Sequence, residues 1–144
     1  MKKYSIFIAI LALIILAGTL FVAYGQQVKQ AEPAKNPEEF TISRFVVATE
    51  IKDKEPVGVA DKFTVATEKV YCYLEAKKIV KDTEISFVWI YNNKEMLKTG
   101  LQIKTGSKWR TYADKNLRGL KGDWKVELRD ASGKTLKEVN FKVE

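Results

Sequence analysis

The sequence predicts an all-β domain, an antiparallel immunoglobulin-like β-sandwich of seven or eight strands, preceded by an N-terminal signal or transmembrane helix. Three observations carry this. The first 25 residues are apolar almost throughout. From Phe40 onward, short segments alternate apolar and polar residues with a period of two, separated by turn residues. Cys72, followed one segment later by Trp89, echoes the core of immunoglobulin strands B and C. A closed barrel is the alternative all-β architecture. No internal repeat is visible.

The N-terminal element opens with Lys2 and Lys3, and from Ile6 to Val22 its only polar residue is Thr19. Residues 4–24 have the length of about 20 residues that spans a bilayer. Two outcomes stay open. A retained anchor fits the length, since cleaved signals carry apolar cores of about 7–15 residues. A cleaved signal fits Ala23-Tyr24-Gly25, which puts small residues before a cut ahead of Gln26. Both keep the lysines in the cytoplasm and send the rest across the membrane. The expected location is therefore the cell envelope: anchored in the inner membrane through residues 4–24, or periplasmic or secreted if the segment is cut. Residues 26–39 lack aromatics and contain Pro33 and Pro37, the composition of a polar, proline-stiffened linker. The domain proper is expected over 40–144.

Within it, Thr41–Thr49 is the first expected strand. Glu68–Ala76 sets Val70, Cys72 and Leu74 on one side, Tyr71 and Tyr73 on the other. Glu84–Tyr91 sets Ile85, Phe87, Trp89 and Tyr91 against Ser86, Val88 and Ile90. Asn92-Asn93 is a turn pair that tolerates positive φ, and Met96–Lys104 is the return strand. Lys108–Tyr112 is a short strand, and Asp114–Leu120 reads as one turn of helix. Trp124–Arg129 and Thr135–Val143 flank a hairpin turn containing Gly133. With no second cysteine, Val126 or Leu128 is expected in its place.

Composition excludes several chemistries. The chain contains no histidine and one cysteine, so Ser-His-Asp and Cys-His catalysis, the usual zinc sites and any intrachain disulfide are ruled out. Beyond residue 25 the net charge is +5, but 21 of the 25 basic residues are Lys and only four are Arg. The lysines are interspersed with Asp and Glu, which describes a solvated mixed surface better than a nucleic-acid interface. No cofactor is expected. Asp53 with Glu55, and Asp114 with Asp123, are the remaining carboxylate pairs for acid–base work, and a small sandwich has little depth for a cleft around them. Asp130 alone offers too few oxygens for calcium.

Five segments in order resemble a bacterial family, domain of unknown function 2914, over about residues 45–143. They are Glu55-Pro-Val-Gly58, Val70-Tyr-Cys-Tyr73, Val88-Trp-Ile-Tyr-Asn-Asn-Lys-Glu95, Lys108-Trp-Arg-Thr-Tyr-Ala-Asp-Lys115 and Gly122–Lys134. The resemblance implies a domain placed after a membrane or export segment. This chain departs from the family pattern at Phe87, where a His is implied, and at Ala113-Asp114, where a Ser-Ser pair is implied.

Function is sought in the 16 aromatics. Exposed Trp or Tyr beside Arg forms a flat platform for sugars or peptides. Trp109, Arg110 and Tyr112 are the candidate binding residues on one strand, with Glu55 and Pro56 in an intervening loop. Trp109 and Arg110 should face opposite ways, and one of Trp109 and Tyr112 outward; the alternative buries Trp89, Trp109 and Trp124 in the core. The expected function is a non-catalytic envelope module that binds an envelope protein or cell-wall glycan. An accessory structural domain and a carboxylate-dependent hydrolase are the alternatives.

Overall fold

A computed structural model of the chain describes residues 39–144. The apolar segment and residues 26–38 of the linker lie outside the described residues. Within the described part the chain forms ten strands and no helix: β1 (Thr41–Ala48), β2 (Glu50–Lys52), β3 (Glu55–Val57), β4 (Lys62–Phe63), β5 (Lys69–Ile79), β6 (Thr83–Tyr91), β7 (Lys94–Ile103), β8 (Gly106–Asn116), β9 (Gly122–Asp130) and β10 (Thr135–Val143). Seven are long and correspond to the expected ones. The three extra strands have two or three residues each, too short to show in a periodicity.

One sheet has the order β1-β5-β8 and a second the order β4-β10-β9-β6-β7, while β2 and β3 form a separate two-stranded ribbon. All pairs are antiparallel except β4 with β10. The period-two pattern explains the layering. Val47, Cys72 and Leu74 from the first sheet share one core with Phe87, Trp89, Val126 and Leu128 from the second. Phe45 stacks on Phe87 at 5.8 Å between the sheets. The architecture is sandwich-like. Each large side chain so buried stabilises the fold by roughly 1.5–3 kcal/mol. Trp124 closes one end of this core, stacked on Phe141 at 5.9 Å, with its indole N–H donating to the Leu120 carbonyl at 3.2 Å.

Turn chemistry agrees where it was legible. Asn92 and Asn93 have φ of 44° and 65°, as a two-residue hairpin with both central residues left-handed requires. Asp53 and Lys54 do the same for β2–β3, with φ of 52° and 61°. Asp-Lys is a weak turn signal, which is why Glu55-Pro56 read as a loop; the two residues belong to β3.

The expected helical turn over Asp114–Leu120 is absent. Asp114, Lys115 and Asn116 continue β8, opposite Tyr71, Val70 and Lys69. Pairing with β5 satisfies their backbone groups and overrides local preference. The reversal comes later, at Arg118 and Gly119, whose φ values are 53° and 69°. Fully buried Leu117 anchors it. On the other face of β6, Val88 lies opposite Glu127 and is fully buried.

A candidate binding face on the three-stranded sheet

Along β8 alternate side chains part company. Trp109 and Ala113 turn to the core side, while Arg110 and Tyr112 lie on the outer face. Register then decides their neighbours on β5: Glu75 stands opposite Arg110, and Tyr73 opposite Tyr112. On the other flank of β5, Arg44 of β1 stands opposite Glu75, and Val46 opposite Tyr73. A bulge between Ile42 and Arg44 inserts Ser43 as an extra residue. Such a bulge re-aims a side chain. Here Ser43 Oγ lies 2.8 Å from Glu75 Oε1 and 3.0 Å from the Glu75 carbonyl oxygen, as a donor to both.

Glu75 is the hub. Its other oxygen accepts from Arg110 Nε at 3.1 Å, and Lys77 and Lys108 approach at 3.6 and 3.8 Å. The Ser43 hydroxyl, then Arg110, hold its carboxyl down at about 2 although the side chain is buried. The same bond raises the Arg110 guanidinium above its ordinary value.

Above this hub lies the β2–β3 ribbon. Glu55 reaches from it to both arginines, Oε2 to Arg44 Nη1 at 2.8 Å and Oε1 to Arg110 Nη2 at 3.0 Å. The Arg44 guanidinium sits 5.3 Å over the Tyr73 ring. Tyr73 is 1% exposed, and its hydroxyl has no hydrogen-bond partner. Burial first, and then the charge of Glu55, push that hydroxyl's titration upward. Beside it, Tyr112 is 48% exposed and meets Tyr71 edge-on at 5.9 Å. Lys54, Tyr73, Lys108, Arg110 and Tyr112 line a shallow depression there.

Three of the five candidate residues, Glu55, Arg110 and Tyr112, thus converge on one face. Trp109 is half-buried and packs against the core, and it is also among the residues that line the depression. Tyr112 is the outward partner of the two. Pro56 pairs with Ile51 within the ribbon, half-buried. Sequence reasoning missed Ser43, Arg44, Tyr73 and Glu75. One signal was present for Glu75, a lone acid in the otherwise apolar and aromatic run Val70–Ala76.

Elsewhere polar groups are occupied structurally. On the outer face of the five-stranded sheet Glu127 pairs with Lys125 at 2.9 Å and Arg129 at 2.7 Å, and Arg129 also reaches Glu95. Asp130 Oδ1 accepts from Ser132 N, Ser132 Oγ and Lys134 N, which closes the β9–β10 turn. Asp114 pairs with Lys69 on the first sheet, whereas Asp123 lies on β9 of the second. Among the described residues no group of three or more His, Cys, Asp or Glu is placed to hold a metal ion.

Fold and face together define a sandwich-like all-β domain with a charged, tyrosine-bearing outer sheet surface. Residues 82–143 match the family described as "Protein of unknown function (DUF2914)", so the resemblance holds from β6 through β10. The Glu55–Gly58 and Val70–Tyr73 segments precede the matched region. No curated protein matches. Solved structures that align with part of the chain include a β-glucosidase from Kluyveromyces marxianus (16% identity, TM-score 0.42). Another is a mutant β-glucosidase from Listeria innocua in complex with laminaribiose (8% identity, TM-score 0.47). The alignments cover 70% and 73% of this chain but only 14% and 16% of theirs. At such scores neither fold detail nor activity passes between them.

Proposed function

We propose that this protein is an exported, membrane-tethered, non-catalytic binding module of the cell envelope. Its ligand contacts the outer face of the three-stranded sheet, around Tyr112 and Arg110. The carrying observation is the exposed Tyr112 ring beside an arginine pair on a sheet face. Among the described residues Tyr112 is the most exposed aromatic. A half-exposed aromatic ring with oriented cations beside it is the composition of a recognition surface. Both outer faces carry paired ions, but among the described residues the exposed aromatic ring lies on the first sheet, which favours it.

The domain is of the immunoglobulin-like kind. Supporting this, the orders β1-β5-β8 and β10-β9-β6-β7 correspond to strands A-B-E and G-F-C-C′. Val126, beside Trp89, takes the place of the second core cysteine. The non-catalytic reading rests on the carboxyls. Each one displaced among the described residues, namely Glu39, Glu75, Asp82, Glu127 and Asp130, is displaced downward. A general acid for glycoside hydrolysis needs the opposite shift.

Membrane fractionation and in-cell crosslinking test the proposal. The intact chain should stay with the inner membrane after osmotic shock, and a photo-crosslinker at position 112 should capture one partner or wall fragment that position 138 does not. A mature chain starting at Gln26 in the shock fluid would remove the tether. Identical capture from both positions would remove the binding face.

A further inference from the structure

The β2–β3 ribbon is a small element set apart from both sheets. Isolated two-stranded ribbons are marginal in water, and this one has three residues per strand. At its base Thr49 N donates to the Val57 carbonyl at 3.1 Å and Ala60 N to the Val47 carbonyl at 3.2 Å. Gly58, at φ 68°, supplies the bend. At its tip, the ion pairs to the body of the domain are those of the Glu55 carboxylate with Arg44 and Arg110. The Glu55 side chain is 42% exposed, so its ion pairs are of the weak, water-competed kind.

Beneath the ribbon is what a carboxylate receptor needs. Arg44 and Arg110 each give one nitrogen to a single carboxylate, which bridges them. Glu75 holds Arg110 by Nε and leaves Nη2 free to point at the bridging group. With Glu55 and the ribbon withdrawn, Arg110 and Lys108 keep Glu75 as their counter-ion and Arg44 loses its own. The buried Tyr73 hydroxyl lacks any partner, a costly state for a polar group that is resolved by an incoming acceptor.

We propose that Glu55 is a built-in stand-in for the carboxylate of an acidic saccharide, and that the ribbon is a flap the sugar displaces. This rests on the binding-face reading above. The carboxylate takes the place of Glu55 between Arg44 and Arg110, and the pyranose ring lies on Tyr112. A saccharide fits better than an acidic peptide, because the face offers a flat aromatic ring and a shallow depression with no deep apolar pocket for a side-chain anchor.

The test is titration calorimetry on the full chain in detergent micelles, wild type and Glu55→Gln, with methyl glucuronide, methyl glucoside and a capped glutamyl peptide as probes. Because Glu55 is part-exposed, Glu55→Gln should fold normally, which a thermal melt checks. The expected result is glucuronide binding about tenfold tighter in Glu55→Gln than in wild type. Neither glucoside nor peptide should match it, and adding Tyr112→Ala should abolish the gain. Equal glucuronide affinity in the two proteins overturns the proposal, as does absence of binding to both, or peptide binding that gains as much. Capture at position 112 in the cell would leave the binding face standing in each of those cases.

Discussion

Glu75→Gln probes the hub of the binding face with the least change of shape. Glutamine keeps an acceptor for the Ser43 hydroxyl, but it deprives Arg110, Lys77 and Lys108 of their shared counter-ion. Glu75 is 6% exposed, so the loss takes place away from bulk water. A carboxyl held at about 2 against an ordinary 4.5 corresponds to an upper bound of about 3 kcal/mol through proton linkage. Solvent screening of its half-exposed lysine partners reduces this to about 1–2 kcal/mol. In a domain of this size that lowers Tm by roughly 4–15 °C at pH 7. The sign of the pH dependence follows from the downward shift. The contribution is complete above about 4.5 and disappears as pH falls toward about 2. Melting curves of both proteins from pH 7 to pH 2.5 should therefore converge at the acid end. A gap in stability that stays constant across this range would refute the electrostatic account of Glu75.

Three other outcomes are expected. Gly58→Ala forces a left-handed φ on a side chain whose Cβ collides with Thr49 Oγ1, so the ribbon should detach. Hydrogen exchange should rise over Thr49–Val57, with a cost of about 1–2 kcal/mol to the domain. The Cys72 thiol is fully buried, and burial holds it well above its ordinary value. It should resist a thiol reagent in the native protein and react at once in denaturant. Asn93→Val places a β-branched residue at φ 65° in the β6–β7 turn and should destabilise by about 1–2 kcal/mol in urea melts.

The alternating β5 and β6 segments made their strands readable, because a half-buried strand must repeat every two residues. The Asn92-Asn93 and Gly133 turns were readable because few residues accept their backbone. The same logic put Trp109 and Arg110 on opposite faces, and that is how the structure has them. What it did not show was which of the two faced the solvent. That depended on which side of β8 met the second sheet.

The charged hub lay further from reach. Arg44, Glu55, Glu75 and Arg110 are spread over 67 positions of the chain and share no local pattern. A one-residue bulge at Ser43, the β5 register and the fold-over of a short ribbon link them in a chain, Arg44 to Glu55 to Arg110 to Glu75, with successive contacts of about 3 Å. Residue type and periodicity alone determined that the domain is all-β, and that histidine-based chemistry is closed to it. Tertiary pairing alone decided where its charges meet, because ion pairs and hydrogen bonds are specified by register and close approach, which no window of sequence contains.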